Sequence, residues 1–154
     1  MAPSNPYILT PHPEDHDLPR GIRNCNPGNL ELGDPWKGLA PQNQQVDGRF
    51  AVFSTAEYGI RALAKILINY QRLHGLMDVH SMIERWAPPA ENDTRAYTAQ
   101  VAAAMGVSPS TAIPFAAHGA DMLRRMVTAI IQHENGQQPY DEDYILAACE
   151  DALG

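Results

Sequence analysis

From Ser54 onward, glycine and proline divide the chain into segments whose apolar residues recur at helical spacing. That pattern leaves little room for anything but helices. Ser54 and Glu57 have capping-box spacing, in which each side chain satisfies a free amide of a first helical turn. Ile60, Leu63, Ala64 and Leu67 follow at i, i+3, i+4 and i+7, and Gly75 stands just past the end. A short helix is expected from Val79 to Trp86, stopped ahead of Pro88-Pro89. A third is capped by Asp93 or Thr94 and runs through Ala103 to Gly106. A fourth begins near residues 117–121 and reaches His133 or Glu134, with Gly136 as its terminator. The acidic segment after Tyr140 supports a last helix with Leu146, Cys149 and Leu153 on one side. The predicted fold class is mainly α, and 154 residues suit a single domain.

The chain ahead of Ser54 reads differently. Residues 1–18 hold four prolines and no apolar period, which predicts a flexible acidic arm. Residues 19–48 are dense in Gly, Pro, Asn and Gln, as in a long ordered loop or a short irregular β-hairpin. Asp47-Gly48 is a turn signal, with a brief strand expected over 49–53. The body of the domain spans 19–140, and 141–154 form an acidic C-terminal helix packed on it or extending from it.

Charge narrows the partners. The net charge is −7, but residues 1–18 and 141–154 together carry eight acids and no Lys or Arg. Ten acids then face eleven bases over the rest, a nearly neutral body that is a poor partner for a phosphate backbone. Residues 101–111 resemble a DNA-binding helix-turn-helix, yet Pro114 interrupts the second helix and no Arg or Lys occurs between Arg95 and Arg124. Nucleic acid is excluded on those grounds. No apolar run approaches the ~18 residues of a membrane span, so no membrane role is expected. The first six residues lack a basic stretch followed by an apolar one, so synthesis in the cytoplasm without a secretory signal is expected. Cys25 and Cys149 could form one bridge in an oxidising compartment but read rather as two free thiols. His12 and His16 sit among acids in the arm without a third His at ligand spacing, and no metal or other cofactor is expected.

Three places carry chemistry. Leu123, Met126, Val127 and Ile130 mark the apolar face of the fourth helix, and Glu134 falls about 20° from Leu123 around the axis. Burial and the negative end of the helix dipole both disfavour a charged carboxyl there, which is what a glycosidic general acid requires. The same position also lets a side chain reach solvent from a frayed last turn. The second place is residues 21–30, where Pro27-Gly28 suits the centre of a type II turn flanked by Asn26 and Asn29. Their amides can pair with an acetamido group, and Trp36 can stack on a sugar; equally, the asparagines can brace their own loop and Trp36 fill the core. The third is residues 86–97, where Asp93 and Thr94 serve as caps and Glu91 and Asn92 have less structural excuse.

Taken in order, Gly21-Ile22-Arg23-Asn24 through Asn29, Trp36, Gly38, residues 50–53 and Gly59-Ile60-Arg61-Ala62-Leu63 resemble a family of phage-associated peptidoglycan hydrolases and virion proteins. Trp86-Ala87-Pro88-Pro89, Asn92-Asp93-Thr94 with Tyr97, and Glu134-Asn135-Gly136 complete the likeness, which covers roughly residues 20–140. Cys25 departs from it, standing where another Asn is expected. The order of motifs is similar to a circularly permuted lysozyme-like fold, with the helix that bears the acid placed last. The resemblance implies that Glu134 is the catalytic acid and that Asn29, Glu57, Asn92, Thr94 and Tyr97 line the cleft. Glu31, Asp34, Glu91 and Asp93 are candidates for a second carboxylate, which a hydrolase needs and a lytic transglycosylase does not.

The expected function is cleavage of the β-1,4 glycan of bacterial peptidoglycan by a cofactor-free monomer. The alternative is a non-catalytic virion or wall-binding protein that keeps the fold. Delivery to the periplasmic wall would fall to a holin, a virion or a secretion system, and the acidic ends are left for an immunity protein or a virion or secretion component.

Overall fold

The computed structural model describes residues 4–154. Its central helix, α2 (Ala56–His74), begins at Thr55, whose side chain accepts a hydrogen bond from the Tyr58 amide. The expected capping box of Ser54 and Glu57 does not form, because Ser54 is engaged elsewhere. Its hydroxyl and amide both donate to the Gly38 carbonyl, at 2.9 and 2.8 Å, and the next hydroxyl along takes the cap. Gly75 ends α2 in the left-handed conformation (φ 65°), and Leu76 N–H reaches back to the Tyr70 carbonyl at 3.0 Å.

Four more helices follow where the apolar spacing and caps place them. α3 (Val79–Trp86) is capped by Asp78, α4 (Thr94–Met105) by Asp93 and Gly106, and α6 (Ala120–Asn135) ends on Gly136. α7 (Glu142–Leu153) is capped by Asp141. Two single-turn helices, α1 (Arg20–Arg23) and α5 (Phe115–His118), are too short to leave a periodic signal in sequence. The protein is mainly helical. α2 packs most extensively on α7, while α6 lies against α4 and α7, and α3 against α4. Leu123, Met126, Val127 and Ile130 of α6 are all fully buried, at about 1.5–3 kcal/mol each.

The brief strand expected at 49–53 reduces, among the described residues, to two isolated antiparallel bridges, Glu31 with Phe50 and Leu39 with Phe53. Side chains hold this region instead. The Asp47 carboxylate accepts from the Arg20 guanidinium, Asn24 Nδ2 (2.9 Å) and the amides of Arg49 (3.2 Å) and Phe50 (2.9 Å). Those donors hold its pKa well below the ordinary aspartate range, the Arg20 bond contributing most. Segment 24–29 lies directly on α2, an approach that Gly59 permits: a Cβ there would sit 1.8 Å from the Cys25 carbonyl oxygen.

The sequence predicts a flexible arm over residues 1–18, of which the first three lie outside the described residues. In the structure, 4–18 run along the body. Ile8, in a 3-10 turn over Pro6–Leu9, enters the core at 6% exposure. Ser4 bonds Asp141 through its amide (2.8 Å) and hydroxyl (3.1 Å), tying this end to the cap of α7. Apolar periodicity cannot register a segment that docks through scattered residues, Ser4, Ile8, Leu9 and Leu18, and a backbone bond from His12 to Arg23.

Candidate functional site

The last turn of α6 delivers Glu134 at the end of the buried stripe, half-buried, with both carboxyl oxygens engaged. Oε1 accepts from Asn29 Nδ2 at 3.1 Å and Oε2 from the Tyr97 hydroxyl at 2.8 Å. Tyr97 in turn accepts from Trp86 Nε1 at 3.0 Å and stacks on His133, ring centroids 3.6 Å apart. An indole N–H only donates, so the direction of this chain is fixed from Trp86 through Tyr97 to Glu134. Burial, followed by the adjacent Glu134 carboxyl, pushes the Tyr97 phenol far above its ordinary range, so it stays a neutral donor.

Each residue of the Glu134-Asn135-Gly136 motif has a separate task. Asn135 Nδ2 donates to the Pro27 and Ile131 carbonyls, both at 2.9 Å, which moors the end of α6 to the turn carrying Asn29. Gly136 (φ 72°) closes the helix directly behind them. The turn itself differs from expectation. Asn29 N–H bonds the Asn26 carbonyl at 2.9 Å, but the positive φ falls on Asn29 (52°) and not on Gly28, so a type II turn is excluded. Gly28 is small for another reason: a Cβ there would approach Trp86 to 3.3 Å and Leu63 to 3.4 Å. Cys25 also has positive φ (53°), a conformation for which asparagine is better suited, and its buried thiol faces the Ile8 carbonyl. Burial pushes that thiol up to about 12.

Glu134 opens onto a cleft of about 670 Å³ with a largely polar wall. Of the residues expected there, Asn29, Glu91 and Asn92 line it with Glu134, and Tyr97 stands behind Glu134 as its donor. Four do not. Asn26 is fully buried and bonds Leu30 and the Ala51 carbonyl, so it braces its own loop. Trp36 packs against the core. Glu57 is an exposed first-turn residue of α2, on the side facing Tyr144 of α7. Thr94 is buried and donates to the Ala87 carbonyl, locking α3 to α4.

Sequence reasoning missed Arg49, Phe50, Tyr70 and Trp86 as cleft residues. Trp86 alone had a signal, its place beside the double proline. Among the candidate second carboxylates, Glu31 and Glu91 reach the cleft. Glu31 is paired with Arg49 at 3.0 Å, and Asp93 spends its carboxylate on the Ala96 amide. Among the described residues, no group of three or more His, Cys, Asp or Glu side chains is placed to hold a metal. Among the described residues, no helix is long and apolar enough to cross a membrane.

Comparison with known proteins gives a relative 35% identical over 134 residues, Protein P5 of Pseudoalteromonas phage PM2. The match covers 84% of this chain and 79% of the relative. The chain belongs to the Protein P5 family. No general family model matches it. The Protein P5 family thus includes a phage protein with which most of this fold is shared.

Proposed function

We propose that this chain is a phage-type peptidoglycan glycosidase with a lysozyme-like, circularly permuted fold, and that Glu134 is its general acid. The observation that carries the reading is the clamp on Glu134: one carboxyl, at the end of an apolar helix, held at both oxygens on the wall of a polar cleft. A general acid must be held in one orientation toward the bond it cleaves, and two donors on one carboxyl hold it there. The Tyr97 hydroxyl, which already accepts from Trp86, donates to Oε2, and with that bond retained in the protonated acid Oε2 keeps carbonyl character. The transferable proton then sits on Oε1, whose bond to Asn29 is the longer one. From there it passes to the glycosidic oxygen as the C–O bond breaks. A family relative in a phage supports delivery of the protein with a phage or at its release.

Glu91 lines the same cleft with no ion-pair partner among the described residues and is the better placed second carboxylate if water completes the reaction. The test is mass spectrometry of fragments released from purified sacculi by the wild type and by Glu134→Gln. Release is expected from the wild type and a loss of about 10²-fold or more from the variant. Anhydro ends would assign a transglycosylase, and reducing ends a hydrolase that uses Glu91. An absence of fragments from folded wild type would overturn the reading in favour of a wall-binding protein.

A further inference from the structure

A second cavity, about 710 Å³, lies between α3, the 88–93 segment, α4 and Pro109. It holds none of the Glu134 network, yet Asn92 lines both it and the Glu134 cleft, so the two adjoin across one residue. Its surface is mostly apolar, with Pro89, Ala99 and Pro109 contributing. Two polar features interrupt it. Thr98 is only 6% exposed, and its hydroxyl has no hydrogen-bond partner among the described residues. A buried hydroxyl left unpaired is costly, and Thr98 is one of the residues that line the groove. Arg95 is exposed and has no ion-pair partner among the described residues.

The other charged groups of the groove are already engaged. His80 Nε2 lies 3.2 Å from Glu84 Oε2, and the Asp93 carboxylate caps α4. Among the described residues, what is left for a ligand is an apolar floor with one unpaired cation, Arg95, at its edge. That suits a short chain with an aliphatic body, amide groups and a carboxylate.

We infer that this groove receives the peptide branch of the glycan strand whose sugars occupy the Glu134 cleft, with a branch carboxylate on Arg95 and the branch point beside Asn92. The inference rests on the glycosidase reading for its substrate, and its test separates the two. Wild type, Arg95→Gln and the groove-filling Ala99→Trp are assayed on sacculi and on the same glycan stripped of peptide by an amidase. The ratio of kcat/KM on peptide-bearing to stripped strands should fall about tenfold in both variants, the scale of one lost hydrogen bond to a charged group. In parallel, the tetrapeptide released by the amidase is titrated into each protein and followed by amide chemical shifts. Shifts confined to residues around Arg95, Thr98 and Ala99, and weakened in both variants, are expected. Cleavage of glycan with an unchanged ratio and no peptide shifts would sink the groove and leave the glycosidase standing. Peptide shifts without any cleavage would keep the groove and sink the glycosidase; neither signal would remove both.

Discussion

Gly21→Ala sets two effects of opposite sign against each other. Gly21 is in α1 with an ordinary backbone, so nothing in its φ opposes alanine, and helix propensity alone favours the change by about 0.5–1 kcal/mol. The surroundings oppose it. A Cβ would lie 2.6 Å from Asn135 Oδ1, 2.8 Å from the Asn26 carbonyl oxygen and 3.0 Å from Asn29 Oδ1. Carbon–oxygen contacts settle at about 3.3–3.6 Å, so each oxygen must retreat by roughly 0.3–0.7 Å. Neither amide can turn over. Rotating Asn29 would set its oxygen against Glu134 Oε1, and rotating Asn135 would set its oxygen against the Pro27 and Ile131 carbonyls. The strain therefore passes into the Asn29–Glu134 bond, already 3.1 Å; a further ~0.3 Å takes it to the edge of a hydrogen bond.

Overpacking of this kind costs about 1–3 kcal/mol, and because none of the three oxygens can turn aside the upper half of that range applies, leaving roughly 1–2 kcal/mol of destabilisation after the propensity gain. In a chain of this size that lowers Tm by roughly 2–8 °C. Misplacing the acid's partner should also cut kcat about tenfold. Thermal melts by circular dichroism and fragment release from sacculi report the two numbers separately. A Gly21→Ala protein that melts at or above the wild-type temperature and releases fragments at the wild-type rate would refute the packing argument.

Three further outcomes follow from the same contacts. Tyr97→Phe removes the donor to Glu134 Oε2 and strands the Trp86 N–H, so stability should fall by about 1–3 kcal/mol in a denaturant titration. Its kcat should drop with KM nearly unchanged, and an unchanged kcat would deny Tyr97 any part in orienting the acid. Asp47 has a folded pKa below its unfolded one, so its stabilisation is present above about pH 4 and lost as pH falls through the folded value. Asp47→Asn should thus be less stable than wild type at pH 7, with the gap closing below pH 4; a gap independent of pH would contradict this. Cys25 and Cys149 are both buried, with thiols pushed up to about 12 by burial, and should resist a thiol reagent at pH 8 until the protein is unfolded.

What the sequence discloses is whatever one residue decides with its near neighbours. Gly75, Gly106 and Gly136 all take left-handed φ and end α2, α4 and α6. Asp93 caps α4, and the helical period alone sets Glu134 on the stripe of Leu123. Where a distant partner competes, local reading fails. Ser54 has the right spacing for a cap but is claimed by Gly38, sixteen residues earlier. Pro27-Gly28 has the composition of a type II turn, yet contact with Trp86 and Leu63 fixes what Gly28 does. The cleft is the extreme case. Arg49 and Phe50 come from one loop, Tyr70 from α2 and Trp86 from α3; they read individually as surface or core, and only packing turns them into a wall. The position of Glu134 is legible from one helix; its surroundings are not.

The clamp on Glu134 also fixes when the cleft can exist during synthesis. Asn29 and Glu134 are 105 residues apart, and Asn135 and the Pro27 carbonyl 108. At translation speeds of 5–20 residues per second, the ribosome adds Glu134 roughly 5–20 s after Asn29. By the end of that interval the asparagine turn, Trp86 and Tyr97 are all present without the carboxyl they surround. No nascent or prematurely terminated chain that stops short of residue 134 can carry the acid, and the cell that makes this protein meets the assembled cleft only when α6 is complete.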